Sequence, residues 1–432
     1  MTWLYAFRNL FRNRRRSLVT GIAVLVGFLG LVLIGGFISR VEHTLRAQTI
    51  YLKYKGHLSI YRREGLEKYP TQPKRYQLSP ADEEKIQEVL RLHDADIDWV
   101  GSTLSGVGLM SRGEKSVPFS LLAVDRKTLR EVQDNDRVKD WARDFVTPQD
   151  LIYAKAVAGD PTAVSATPRL GESVGLKTPF ESLSEADASL QLAGMTHFRD
   201  LNAVDATLAS SHSTGSEFTE NSSLLGTVEL ARDLYQAEGV QNLIVFLKKD
   251  DAVKRLAAGI EREFREKNLP YEVFVFSDHR VSPHYAGTMG FLHIMSGFFI
   301  FLICGAVVLS IVNSLTMGIL ERVRELGTLR AVGFGRGRIS WLLTQEALCL
   351  TTVSCALGAV LALSLAAVIN AMNFRFSPPG VPHSMQFLVT PQWETVALAS
   401  ILLLSLTAAS SYLLSYYKMK TQIINLLSDT GA

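Results

Sequence analysis

Long uncharged runs alternate with polar stretches along the chain, and their order predicts its plan. Residues 17–38 (SLVTGIAVLVGFLGLVLIGGFI) carry no charge. As a helix rising about 1.5 Å per residue they cover a bilayer core of about 30 Å. A cleavable leader has a shorter apolar run that ends in small residues, whereas Ser39, Arg40, Val41 and Glu42 follow here, so 17–38 reads as a retained span. Three further apolar runs occupy 290–318, 341–370 and 395–417. The expectation is an α-helical membrane protein with four transmembrane helices, one plus three, and a large polar domain at 40–285 between the first and second.

Inside that polar stretch the period of the apolar residues changes. HLSIY, after Gly56, alternates as a strand does. Ser79, Pro80 and Asp82 then supply an N-cap, a proline for the first helical position and an acid for the third, so a helix is predicted to about Leu92. Positions 107–122 read as a hairpin turning at Arg112, Gly113 and Glu114. Further on, LIVFL (243–247) reads as a buried strand, Val253, Leu256, Ala257, Ile260 and Phe264 repeat at helical spacing, and EVFVF (272–276) reads as a second strand. Two strand–helix–strand halves, 40–124 and 241–285, imply a split βαβ layout with helices on one face of a small sheet, an α+β domain. The inserted subdomain 125–240 contains THFRDLNAVDATLASSHSTGSEFTENSS, a serine-rich stretch that reads as a mobile loop in preference to a substrate-facing edge; the fold of the insert stays open.

Composition agrees with a membrane protein: 47% hydrophobic and only 20% charged residues. A net charge of +3 is too small to point to nucleic acid. Its distribution is more informative. Arg8, Arg12, Arg14, Arg15 and Arg16 precede the first span, Arg322, Arg324, Arg330, Arg336 and Arg338 lie between the second and third, and Lys418 and Lys420 follow the fourth. The loop 371–394 carries Arg375 alone among basic residues. The positive-inside rule therefore puts 1–16, 319–338 and 418–432 in the cytoplasm, and 40–285 and 371–394 outside. Trp3, Leu4, Phe7, Leu10 and Phe11 share one helical face of 1–16, as in a helix lying in the interface. Cys304, Cys349 and Cys355 all fall in spans, so the exported domain is expected to hold together without disulfides.

Candidate chemistry is sparse. GESVGLKT (171–178) superficially resembles a nucleotide loop, but Leu176 stands where a glycine must precede the lysine. With no such loop elsewhere, any ATP hydrolysis belongs to a partner chain. The nine histidines show no HExxH spacing and the cysteines no C-x-x-C, so no metal site and no catalytic residue is assigned. Glu346 lies in the third span, where an ionised carboxylate at full depth costs on the order of 2.5–3.5 kcal/mol. Two readings stay open for it: a buried partner for the arginine-rich loop or a neighbouring helix, or a carboxylate reaching back to the interface. The densest signal is ILERVRELGTLRAVGFG (319–335). It reads as one helix with Glu321–Arg324 and Arg322–Glu325 at i to i+3, an apolar face of Val323, Leu326 and Leu329, and a stop at Gly333 to Gly335.

Arg324, Glu325, Leu326, Gly327, Leu329, Arg330, Ala331 and Gly333, followed by Gln345, Glu346 and Ala347, resemble the signature run of the FtsX-like permeases, a family of ABC transporter subunits that includes the MacB, LolC and LolE types. The one-plus-three order of spans matches as well. The resemblance implies a MacB-like periplasmic domain, dimerisation with a second copy or a paralogue, and two copies of a cytoplasmic ABC ATPase bound through 319–338. ATP and Mg would then be held by that ATPase, with no cofactor in this chain. It further implies an inner-membrane permease that relays ATP-driven motion to the periplasm (mechanotransmission), for release or export of lipoprotein or another amphiphilic cargo, with membrane lipid among its partners. A tripartite efflux permease with a periplasmic adaptor and an FtsX-like transducer of cell-wall hydrolases are the alternatives. The residues expected to meet the ATPase are Glu321, Arg322, Arg324, Glu325, Leu326, Gly327, Leu329, Arg330, Ala331 and Gly333. Gly297, Gly305, Ser310 and Ser314 offer small side chains for helix contact in the second span.

Overall fold

A computed structural model describes residues 14–136, 152–177, 180, 183–214, 217–376 and 385–426. Two compact units divide the chain: Met1–Glu42, Gly290–Phe374 and Phe387–Ala432 in one, His43–Met289 and Arg375–Gln386 in the other. The amphipathic stretch of Trp3 to Phe11 lies outside the described residues.

The apolar runs are helices that extend past the membrane-length segments on both sides. The first run lies in α1 (Arg14–Ala47), and the other three lie in Pro283–Glu321, Arg336–Ala371 and Trp393–Leu426. Each is long and apolar enough to cross a membrane. Their packing in the first unit is made of medium-sized side chains. Val24, Phe28 and Val32 from α1 meet Val307 and Ile311, Cys355 and Ala362, and Leu403 from the other three. Close approach is possible because Gly35 has no side chain: a Cβ there would lie 2.3 Å from Thr395 Cγ2. Thr351 and Thr407 link their helices through hydroxyls 3.1 Å apart, a polar pair that apolar surroundings favour.

The second unit is built on a mixed sheet. Its strands are β1 (Leu58–Arg62), β2 (Ile97–Arg112), β3 (Lys115–Val124), β4 (Ala163–Ala166), β5 (Ser189–Met195), β6 (Leu201–Ser211), β7 (Ser223–Thr227), β8 (Asn242–Leu247) and β9 (Tyr271–Val275). The order β2-β8-β1-β9 is antiparallel throughout, which is the split βαβ layout, with α2 (Pro80–Arg91) and Val253–Glu266 as its helices. The start of α2 is a reciprocal cap: the Asp82 N–H donates to Ser79 Oγ, and the Ser79 N–H donates to Asp82 Oδ2 at 2.9 Å. Asp82 also accepts from Tyr271 Oη at 2.7 Å, tying α2 to β9. Ile86, Val89 and Leu90 on α2, and Leu256, Ile260 and Phe264 on the other helix, are buried. The segment HLSIY, read as alternating, is buried from Leu58 through Tyr61, and on the face opposite Ile60 the Tyr61 ring is covered by Phe274, Val281 and Leu66.

Two expectations fail in the insert. The sheet is not small: β2 continues past its pairing with β8 to pair with β3 and β5, so nine strands share one hydrogen-bonded network. The pairings β2-β3-β7-β4-β6-β5-β2 close into a ring. The hairpin predicted at 107–122 is therefore longer, and its two-residue turn is Gly113–Glu114, with Gly113 at φ +60. The serine-rich stretch read as loop contains β6, whose Ala206, Leu208 and Ser210 alternate inward while it pairs with β4 and β5. Small and polar residues at the alternate positions had hidden the period of two.

Candidate functional site

The densest sequence signal does not fold as one helix. The second span helix ends at Glu321, and a separate helix, Val323–Ala331, follows before Arg336–Ala371 begins. Arg322 stands between them at φ −112, ψ 21, its N–H turned onto the Ile319 carbonyl at 3.3 Å. Glu321 and Arg324, expected one turn apart on a single helix, thus sit on different helices. Arg322, expected to pair with Glu325, aims its guanidinium at Glu346: Nη1 lies 3.2 Å from Oε1 and 3.1 Å from Oε2. The Arg322 side chain is 10% exposed and that of Glu346 19%. Each charge gives the other the partner that burial requires. Beside them is a small cavity of about 60 Å³ lined in part by Ser17, Thr20, Ser314 and Thr351. The hydroxyls of α1 and of the second and third span helices therefore surround the ion pair.

The short helix is seated by one apolar residue and one cation. Leu326, 5% exposed, packs with Ile319, Ile339, Leu343 and Met419, and Leu329 adds to the same cluster. Arg330 Nη1 donates to the Met419 carbonyl at 3.4 Å. The chain then leaves the helix through Gly333 at φ +102, a conformation glycine adopts without strain, and Gly335 starts the next helix as its N-cap. Glu321, Arg324, Glu325, Thr328 and Ala331 face outward, followed by Val332 at 79% and Phe334 at 45% exposure. The residues expected to act together therefore separate into a seat (Arg322, Leu326, Leu329, Arg330, Glu346) and a face (Glu321, Arg324, Glu325, Ala331). Gly327 and Gly333 have open space around the position of a Cβ. Met419, Ser17 and Thr20 belong to this site and carry no sequence signal; only the packing of helices distant in the chain brings them there.

Elsewhere, polar clusters are structural. His212 Nδ1 lies 3.1 Å from Ser165 Oγ and its Nε2 3.3 Å from Ser223 Oγ. This serine–histidine contact is sealed, since Ser165 is 0% exposed, and burial pulls the His212 pKa down to about 4. His57 is held from two sides. Its Nδ1 accepts the Leu247 N–H at 3.1 Å, which leaves the proton on Nε2 to be donated to Asp250 Oδ1 at 2.9 Å. Arg46 Nη1 meets the other Asp250 oxygen at 3.2 Å. The hydrogen bond from His57, more than any other partner, draws Asp250 down to about 2. In GESVGLKT, Leu176 is buried at 3% exposure, a core anchor where a phosphate cradle would need open backbone; Thr178 lies outside the described residues. Among the described residues no group of three or more His, Cys, Asp and Glu is arranged to hold a metal ion.

No curated protein matches the chain in sequence. The extracellular domain of the noncanonic ABC-type transporter YknZ from Gram-positive bacteria is similar at 10% identity and a TM-score of 0.32, covering 50% of this chain and 98% of that one. The periplasmic region of MacB from Actinobacillus actinomycetemcomitans is similar at 10% identity and a TM-score of 0.32, covering 51% and 88%. Residues 297–423 match the family model described as FtsX-like permease C-terminal. The matched residues run from within the second span helix to 423 and include the third span helix, the helix Val323–Ala331 and the Arg322–Glu346 pair, so over these residues the chain is similar to FtsX-like permease C-terminal regions.

Proposed function

We propose that this chain is the membrane subunit of an ABC-type transporter, and that Val323–Ala331 is the element through which a separate cytoplasmic ATPase moves it. One observation carries this reading: a nine-residue helix between two long apolar helices, within the FtsX-like region, is seated by apolar contact on one side and exposed on the other. Leu326, Arg330 and the Arg322–Glu346 pair fix it. Arg324 and Glu325 are exposed and charged and lie outside the apolar cluster. A force applied to that face reaches the ends of the second, third and fourth span helices through Ile319, Ile339, Leu343 and Met419.

The mode of action that fits is mechanotransmission to an extracytoplasmic domain. His293 and Asn313 sit on exposed positions of the second span helix, while Glu346 is largely buried against Arg322. These polar groups do not converge on a path through the four helices, as a hydrophilic conduit would need. The arginine balance supports a cytoplasmic position for Val323–Ala331 and an external one for the α+β unit. A lipoprotein or other amphiphile is the cargo in this reading, with a second permease chain and two ATPase copies completing the assembly.

The test is purification of the full chain from its native membrane and identification of the subunits that accompany it, followed by ATPase measurements on the reconstituted complex. An ABC ATPase is expected in stoichiometric amount. Arg324→Glu and Glu325→Lys are expected to leave membrane insertion intact and to lower ATPase recovery or transport-coupled hydrolysis about tenfold, the effect of losing about 1.4 kcal/mol at an interface. Full coupling in both variants, or no ATPase in the complex, overturns the proposal.

A further inference from the structure

In the α+β unit a cavity of about 710 Å³ opens between the Tyr69–Arg75 segment, strands β2 and β3, and the turn that joins β5 to β6. Its floor is aromatic. Tyr69 and Tyr235 are each 3% exposed, and Tyr235 fits beneath β2 because Gly106 lacks a side chain: a Cβ there would lie 2.3 Å from Tyr235 Cζ. Tyr235 Oη donates to the Val107 carbonyl at 3.4 Å. The turn on one wall is held by Thr196 Oγ1, which accepts the N–H groups of Phe198 and Asp200, both at 3.2 Å. Arg199 projects from that turn with its backbone at φ 70. His197 lies 3.4 Å from Tyr69 Oη through Nε2, while its Nδ1 is shut off from solvent and bonded to nothing.

The charged side chains that line this cavity are of one sign. Lys74, Arg75 and Arg199 line it, and no aspartate or glutamate does. Lys74 Nζ sits 4.1 Å above the ring of Phe198, and Arg75 lies 5.5 Å from the ring of Tyr76, so aromatic faces orient both cations. Burial holds the His197 pKa below its usual value, which leaves the lysine and arginines as the source of positive charge. Met195, Val107, Pro70 and Pro73 supply apolar wall. The volume falls within the roughly 300–1,000 Å³ of small-molecule sites, which likewise combine mostly apolar walls with a few convergent polar groups.

From this arrangement we infer that the cavity is a binding site for a small amphiphilic anion: an oxyanion such as phosphate or carboxylate at the Lys74–Arg199 rim, joined to an aromatic or other apolar body lying over Tyr69 and Tyr235. The inference stands on the α+β unit alone and holds whether or not an ATPase drives the chain.

The experiment uses the full chain in lipid nanodiscs, equilibrium dialysis, and three probes: 2-naphthyl phosphate, 2-naphthol and inorganic phosphate, with empty nanodiscs subtracted. Saturable binding of one 2-naphthyl phosphate per chain is expected, at least about tenfold tighter than either of the other two. Lys74→Ala combined with Arg199→Ala is expected to weaken it by about tenfold or more, and Val107→Trp, which fills the mouth from an exposed strand position, to abolish it. Lys254→Ala, exposed and outside the cavity, keeps full binding. Lys74, Arg199 and Val107 are all exposed, so far-UV circular dichroism and the thermal midpoint stay as in the parent. Binding no greater than to empty nanodiscs overturns the inference. So does equal affinity for 2-naphthol, which would mark an apolar pocket only, or equal affinity for inorganic phosphate, which would mark a surface ion only. Undiminished binding in both variants also overturns it.

Discussion

Arg322 and Glu346 are twenty-four positions apart and meet where the second and third span helices come together. Neither charge is tolerable there by itself: an uncompensated buried member of such a pair destabilises by roughly 3–5 kcal/mol, whereas replacing both by apolar groups is often neutral. Arg322→Met or Glu346→Met singly is therefore expected to lower the thermal midpoint of the detergent-solubilised protein well below that of the double variant. Equal losses in all three would show that the pair is not coupled. His212 makes a second prediction at this scale. Its pKa is about 4 in the folded chain against 6.5 when unfolded, so the folded state binds the proton less readily. Stability is complete above about pH 6.5 and declines as pH falls toward 4, with a slope approaching about 1.4 kcal/mol per pH unit. Hydrogen–deuterium exchange of β4 and β7, corrected for intrinsic rates, is expected to show protection lost over that window. The loss is expected to be much smaller in His212→Gln.

Val323–Ala331 is too short to be stable by itself, since isolated helices below about 12–15 residues are marginal in water. Its persistence depends on Leu326. Leu326→Ala is expected to cost about 2–4 kcal/mol, as large-to-small changes in a core do, and to open 322–335 to limited proteolysis while the four long helices stay intact. Cleavage no faster than in the parent would show that the helix is held by something other than its apolar contact. Gly333→Ala would strain the exit at φ +102 and acts in the same direction by a smaller amount. How legible these elements were depended on the kind of signal. Ser79-Pro80-Asp82 and the uncharged runs announce a cap and spans in local chemistry, and they fold as read. The break at Arg322 has no glycine or proline to mark it; ERVRELGTLRA is good helix sequence, and the chain turns there where a distant carboxylate engages Arg322. β6 is obscured for a related reason: of its inward residues Ala206, Leu208 and Ser210 only Leu208 is large and apolar, so no period of two stands out until β4 and β5 flank the strand.

At the scale of the molecule, the split βαβ layer was readable because its two halves repeat one local pattern, whereas the ring in the insert depends on β2 serving two neighbourhoods at once. Nothing local to Ile97–Arg112 states that its first half pairs with β8 and its second with β3 and β5. Topology across the membrane rests on different physics, the cost of moving arginines through a bilayer. Arg322, Arg324, Arg330, Arg336 and Arg338 lie between the second and third spans, against Arg375 alone between the third and fourth. By the positive-inside rule that asymmetry gives the expectation that Glu114, at the β2–β3 turn, and Phe334, beside the short helix, are reached from opposite sides of the membrane. Glu114→Cys is expected to react with a membrane-impermeant maleimide on intact spheroplasts, and Phe334→Cys only after permeabilisation. Cys304, Cys349 and Cys355 all lie in span helices and are replaced by alanine to remove background. The exchanged pattern, with Phe334→Cys reacting on intact spheroplasts and Glu114→Cys only after permeabilisation, would reverse the placement of both segments. Val323–Ala331 would then no longer face the compartment where ATP is found, so this experiment tests the transporter reading without any knowledge of its cargo.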